Sequence, residues 1–368
     1  MEICVRFNNS ILQLIMNIRI FVPDWVPAYE RFVIVPFLHP FLATDKTKED
    51  LIEQYGDWFT HIEMVCDIAL CHVVMPAHYI NFYYKNKKQQ TLFDINRLAI
   101  VNNKLTVCWT SGDSGVTPPL QHFHLYRLGG YLSRNEGNQF CFPSFIPDVA
   151  KAHFNGKIPE PYAKTPKPII GFCGQGKAGY RKLIIDIARV LKMRLYKLAG
   201  RTYEDAEELR CSAFDRSAML DILERSPLII TNFIRHKQYR AGAKTAEEKK
   251  AGNELFYTNL IASQYILCYR GTGNFSVRLY ETMACGRIPI LVGSDNNLPF
   301  RYEIDWHQFP AIDRKDIKHL PQKIAEFHDM LSPTAFVKLQ HEARLIWESY
   351  LYHQSFMKLL IEKYSGWE

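Results

Sequence analysis

The chain has 368 residues, 47% of them hydrophobic and 23% charged, with a formal net charge of +7. That length exceeds one compact core and suits two domains of ordinary size. The mild positive charge, with no Lys/Arg block dominating, points to an anionic small ligand or acidic polymer and away from the clustered basic face of a dedicated nucleic-acid binder.

Nine cysteines occur without a CxxC pair or a zinc-like Cys/His spacing, so free, mostly buried thiols in a reducing compartment are expected. No segment has the length and purity of a membrane span. The first 25 residues lack the small-residue cleavage site of a signal peptide. Residues 1–15 read as an extension before a first strand at "MNIRIFV", and the expectation is a cytoplasmic enzyme.

In chain order, "NIRIFVPD", "CDIALCHVVMP" and "KLTVCWTSGDSG" are short apolar runs bounded by turn residues and predict strands. Helix-like polar segments such as "DKTKEDLIEQYGDWF" lie between them, and the basic tract Lys85 to Lys88 reads as a solvated turn. After "FCFPSFIPD" come four prolines between Pro159 and Pro168, which mark a domain boundary. The second half restarts with the strand "KPIIGFCG", the amphipathic helix "GYRKLIIDIARVLKM" and the run "RLYKLAG". "SPLIITNF", "YILCYR" and "RIPILV" are further strands, separated by the helices "TAEEKKAGNELFYTNLIASQ" and "SVRLYETMAC". From Ser332 the chain is a long helical tail. Strands alternating with helices predict parallel sheets with helices on both faces, and two such α/β domains in tandem predict a ligand cleft between them.

Two glycine-rich loops stand out. In "GQGKAG", Gly174, Gly176 and Gly179 spell G-x-G-x-x-G between a strand and a helix, which can cradle a phosphate or serve only as a tight turn. A dinucleotide reading also needs an acid at the end of the second strand, where the chain has Ala199, Gly200 and Arg201; Arg201 could meet a 2′-phosphate. In "CYRGTGNFSVRLYETMACGRIPILV", Gly271 and Gly273 allow close backbone approach, and Asn274 or Ser276 can cap the next helix. Arg278, Glu281, Thr282 and Cys285 fall on one polar stripe, with Val277, Tyr280 and Ala284 facing the core. A diphosphate at that helix N-terminus with Arg278 or Arg270, and a ribose on Glu281, competes with a plain Arg278–Glu281 surface ion pair.

The stretch Ala262 to Val292, together with "FIRHKQYRAG", "GNELFYTNL" and "IIGFCGQGKAGYRKLII", resembles the donor-binding core of the exostosin-like glycosyltransferases (glycosyltransferase family 47). The resemblance is strong over residues 168–300 and diffuse before them. It implies a GT-B fold, two Rossmann-like α/β domains facing a central cleft with a C-terminal helix crossing back. The corresponding division is 16–160 for the acceptor side, 161–332 for the nucleotide-sugar donor and 333–368 for the tail. The resemblance further implies inverting transfer from a nucleotide sugar, UDP-linked in expectation, to a saccharide acceptor in polysaccharide biosynthesis, without a metal or other cofactor. No Asp-x-Asp motif is evident. No nucleic-acid partner is expected, and peripheral association with a membrane-linked acceptor is left open.

For that chemistry the expected donor-binding residues are Arg181, Arg240, Arg270, Gly271, Gly273, Asn274, Ser276, Arg278 and Glu281. Arginines at a helix N-terminus stabilise the departing diphosphate. The base that deprotonates the acceptor belongs to the first half. Asp113 in "WTSGDSG" is the best placed carboxylate, although a turn role explains it equally well; Glu136, Asp67, His122 and His124 are further candidates. Two rivals remain: an NADP-dependent oxidoreductase built on "GQGKAG", and a non-catalytic nucleotide-sugar or carbohydrate-binding protein.

Overall fold

Apolar runs such as Leu105–Trp109 and Ile288–Val292 are buried at every position, as expected for strands covered on both faces of a parallel sheet. The computed structural model of the protein describes residues 17–26, 31–42, 45–238, 242–293 and 295–367. Its strands form two sheets with parallel pairing throughout. The first contains β1 (Ile18–Phe21), β2 (Ile62–Met64), β3 (Val73–Val74), β4 (Leu105–Trp109), β5 (Phe123–Arg127) and β6 (Gln139–Cys141), in the order β2-β1-β3-β4-β5-β6. The second contains β7 (Ile169–Gln175), β8 (Ile230–His236), β9 (Tyr265–Cys268), β10 (Ile288–Val292) and β11 (Ala311–Ile312), in the order β11-β10-β9-β7-β8.

Helices α1 (Lys48–Tyr55), α2 (Ile80–Lys85), α3 (Gln89–Val101) and α4 (Val149–His153) belong to the first half of the chain. The second half supplies α5 (Tyr180–Leu198), α6 (Ser212–Glu224), α7 (Ala246–Ile261), α8 (Val277–Ala284) and α9 (Leu320–Met330). The tail forms α10 (Pro333–Ile346) and α11 (His353–Ser365). Local chemistry fixes several starts. Thr47 with Asp50, and Thr245 with Glu248, form reciprocal capping boxes at α1 and α7.

Each sheet has its own core. Val107, Trp109 and Tyr126 anchor the first, while Phe172, Ile266, Tyr280 and Ile290 anchor the second. Val149 of α4 already packs in the second core. The tail divides between them: Phe336, Leu339 and Ala343 of α10 stay in the second core, and Phe356, Met357, Leu360 and Tyr364 of α11 fill the first. Arg344 secures the crossing. Its Nη1 donates to the carbonyl of Ala284 at the end of α8 (2.5 Å) and its Nη2 to Asp148 (3.1 Å), placing a cation where the dipole of α8 favours one. Two Rossmann-like parallel-sheet domains and a C-terminal helix that crosses back constitute the GT-B architecture.

Four sequence expectations change. "RLYKLAG" is not a strand: α5 continues to Leu198 because no breaker intervenes before Gly200, whose φ is +67°. Ala199, Gly200 and Arg201 therefore do not end a second strand, and β7 pairs with β8 instead. The dinucleotide reading loses the strand it needed. "CDIALCHVVMP" contributes only Val73–Val74 as strand. His124, a candidate base, lies on β5 between β4 and β6, and its Nδ1 meets the Tyr364 hydroxyl of the crossing tail at 2.8 Å. On α8, Thr282 and Cys285 are fully buried, whereas Val277 is 42% exposed. That helix is covered by the second sheet on one side and by α10 on another, so its polar stripe does not face solvent.

Candidate active site

The two glycine loops, separate in sequence, meet in space because β7 and β9 are neighbours in the second sheet. Two arginines join them. Arg278, in the first turn of α8, donates from Nη2 to the carbonyl of Cys173 at 2.7 Å, and its guanidinium lies 4.4 Å from the ring centroid of Phe172 and 5.7 Å from that of Phe256. Arg216, on α6, donates from Nη1 to the carbonyl of Gln175 and from Nη2 to that of Arg270, both at 2.9 Å. One guanidinium thus spans the end of β7 and the start of the Arg-Gly-Thr-Gly-Asn loop.

This pair is electrostatically unfinished. Burial holds Arg278 below its ordinary value, with Cys268, Glu281 and Cys173 opposing that shift. Burial, and then the like charge of Arg278, push Arg216 down to about 10. The Nε atoms of both are buried without a hydrogen-bond partner among the described residues. Half-buried cations whose guanidinium groups donate to carbonyls gain from an arriving anion, which relieves both desolvation and mutual repulsion. The N-terminus of α8 adds to this. Ser276 occupies its cap position but makes no side-chain capping bond; the Leu279 N–H bonds the Ser276 carbonyl at 3.2 Å, which leaves the amides of Val277 and Arg278 to a ligand.

Arg270 is placed differently. Only 5% exposed, it donates from Nη1 to the Tyr131 hydroxyl (2.8 Å) and Asn274 Oδ1 (3.2 Å), and from Nη2 to the Thr272 carbonyl (2.9 Å) and to Glu207. Tyr131 also donates to Glu207 at 2.5 Å. Tyr131 and Glu207 outweigh desolvation and hold the Arg270 guanidinium above its ordinary value. Its charge is already matched, in a clamp that fastens the loop after β5 to the second domain. Asn274, expected as a cap, joins the clamp instead, its Nδ2 donating to the carbonyls of Gly130 (2.9 Å) and Asp295 (2.8 Å).

The glycines divide the same way. A Cβ on Gly273 would fall 2.3 Å from the carbonyl oxygen of Asp113, whereas one on Gly271 would meet nothing within 4 Å. Gly273 lets the first domain's Asp113 loop touch the second domain, and Gly271 leaves open space. Asp113 is exposed at this junction. Glu281 is half-buried one turn beyond Arg278, and its charge pushes the pKa of the Tyr257 hydroxyl up, after the larger effect of burial. Arg181 lies exposed in the first turn of α5. Arg240 lies outside the described residues. His122 is exposed. Asp67 caps a short helical turn, accepting from Ala69 N–H at 2.9 Å.

Next to the clamp, a cavity of about 500 Å³ opens at the carboxyl ends of β4 and β5. Its walls include Arg127, Tyr131, Arg134, Glu136, Asp205 and Glu207. Arg127 bonds Asp205 (3.1 Å) and the Ser114 carbonyl (2.8 Å); Thr117 donates to Asp205 at 2.8 Å. Arg216, Arg127, Tyr131, Asp205 and Glu207 were not found from the sequence, because most of their partners lie far along the chain, although the Gly129–Gly130 pair beside Arg127 and Tyr131 was a signal that could have drawn attention to those two. Among the described residues no cluster of three or more His, Cys, Asp and Glu could hold a metal ion, and no helix is long and apolar enough to cross a membrane.

No family model matches the chain. A protein of Arabidopsis thaliana described as a probable glucuronoxylan glucuronosyltransferase is 28% identical over 116 residues, covering 28% of this chain and 24% of that protein. Among solved structures, HepE of Anabaena in complex with UDP is 10% identical, with a TM-score of 0.35 over 95% of this chain and 100% of that one. TarM is 11% identical, with a TM-score of 0.33 over 88% of this chain and 59% of that one. At such scores the architecture rests on the strand order and crossing tail described above.

Proposed function

We propose that the protein is a glycosyltransferase that moves a sugar from a nucleoside-diphosphate donor, UDP-linked, to a saccharide acceptor. The observation that carries this reading is the Arg216–Arg278 pair, two half-buried cations tied to both glycine loops at the strand ends of the second domain. In this reading they take the diphosphate together with the α8 N-terminus, and Glu281 accepts hydrogen bonds from the ribose hydroxyls. As the acceptor oxygen bonds the anomeric carbon, the bond to the diphosphate oxygen breaks, and the charge gathering on the leaving group falls on fixed guanidinium groups. The arginines perform the neutralisation a divalent cation would otherwise provide, so transfer proceeds without a metal.

Asp113, on the facing domain against Gly273, takes the acceptor proton from the side opposite the leaving group, which gives inversion. The similarity to a plant glucuronosyltransferase and the exostosin-like motif support this class, with polysaccharide biosynthesis as the setting. The test is thermal stability with UDP, GDP, CDP, TDP and NADPH, for the parent, Arg278→Ala and Arg216→Ala. A rise with UDP, absent in both variants, is the expected result. A rise with NADPH alone, unchanged in the variants, overturns the reading.

A further inference from the structure

Helix α5 has no buried residue along its 19 positions, and its exposed apolar side chains other than Ile185 share one face. Tyr180, Ile184, Leu191, Leu195 and Leu198, with Ala188 between them, recur at helical spacing and form one stripe. Tyr180 is 76% exposed, Leu195 63% and Leu198 85%. At 1.5 Å per residue the stripe runs about 27 Å. A continuous apolar strip of that length on a surface marks an interaction site.

Charge identifies the partner. Arg181, Arg189 and Lys192 are exposed and lie along one flank of the stripe. The one acid on the helix, Asp186, is half-buried, with Lys182 at 2.7 Å and Arg189 at 3.9 Å, so Arg181, Lys182, Arg189 and Lys192 leave an excess of positive charge there. The spacing of Ile184, Ala188, Leu191, Leu195 and Leu198 also matches a coiled-coil seam, but a second copy would bring Lys192 beside the seam with no exposed acid on the helix to answer it. An apolar face bordered by cations fits an anionic lipid surface.

We propose that α5 docks the protein onto anionic membranes, its apolar stripe entering the headgroup boundary and Arg181, Arg189 and Lys192 meeting lipid phosphates. The helix begins directly after Gly179, so docking holds the mouth of the candidate site at the lipid surface, where a lipid-linked acceptor is presented. The docking itself does not depend on the proposed transfer reaction.

The test is co-sedimentation of the full chain with phosphatidylcholine vesicles, with and without phosphatidylglycerol. Two variants are compared: Leu191→Glu/Leu195→Glu, and Arg189→Glu/Lys192→Glu. Sedimentation only with phosphatidylglycerol, falling about tenfold in each variant, is expected. Leu195→Trp provides a second readout, with fluorescence that shifts to the blue on adding the anionic vesicles. Retention of the UDP-dependent thermal shift in the variants shows that fold and nucleotide site are intact, which separates failure of docking from failure of the functional reading. No sedimentation with phosphatidylglycerol vesicles, or sedimentation unchanged in the Leu191→Glu/Leu195→Glu variant, overturns the proposal. So does a vesicle-free dimer that dissociates in that variant, which would make the stripe a contact between copies.

Discussion

The guanidinium of Arg278 occupies the space that a side chain on Gly174 would need. A Cβ at Gly174 would fall 2.9 Å from Arg278 Nη2, and Gly174 has a φ of +150°, a conformation L side chains rarely adopt. The glycine of one loop therefore sets the position of the arginine from the other. Gly174→Ala is expected to cost about 1–3 kcal/mol in backbone strain and to displace Arg278 from the Cys173 carbonyl. Titration of the variant with UDP should show weakened binding beyond what the stability loss explains. Unchanged affinity would mean that the contact serves packing alone.

Arg216 offers a test in which stability and affinity should part. Its charge is half-buried beside Arg278, so Arg216→Met removes desolvation and repulsion along with two hydrogen bonds to carbonyls. The free protein should lose little stability, whereas UDP affinity should fall about ten- to a hundredfold, the scale of a hydrogen bond to a charged group. Arg216→Lys should not restore binding, since one ammonium cannot reproduce the guanidinium fork. Chemical denaturation and calorimetric titration of both variants check the two effects. A large stability loss with unaltered affinity would make Arg216 structural.

The sequence made the strand–helix alternation of the second domain legible, because β7, β9 and β10 are short apolar runs, α8 is an amphipathic helix, and glycines or prolines lie close to their ends. It did not reveal that the two glycine loops form one site, which follows only from β9 pairing with β7 rather than from order along the chain. The extent of α5 was hidden because "RLYKLAG" suits either a strand or a helix until the breaker at Gly200 is weighed. Arg270 looked like a ligand residue because it precedes Gly271. What binds it, Glu207 and Tyr131, lies 63 and 139 residues away. Long-range pairing of that kind leaves no local trace.

That clamp gives a stability prediction. Arg270 and Glu207 are both well buried, with side-chain exposures of 5% and 14%, so Glu207→Ala strands a buried cation. The expected loss is about 3–5 kcal/mol. Tyr131→Phe, which removes one hydroxyl and leaves the ion pair in place, should cost about 1 kcal/mol. Urea denaturation measures both. Comparable small losses would show that the two domains are held chiefly by other contacts, such as Arg127 with Asp205.

Acid should weaken the seam between α11 and the first sheet. His353 packs against Trp58 and Phe145, with ring centroids 5.7 and 4.9 Å away, and His124 meets Tyr364. Burial lowers both imidazoles, and that of His39, from an ordinary 6.5 to about 4. These rings are neutral in the folded chain while the unfolded chain protonates them below about 6.5, so the unfolded state binds more protons between those values. Stability is then fully present above pH 6.5 and is lost as pH falls toward 4. Thermal melts across that interval should show a steady decline in Tm. His353→Phe keeps an aromatic ring at the seam and removes one titrating group, so its decline should be shallower. A slope identical to the parent's would place the acid sensitivity elsewhere in the fold.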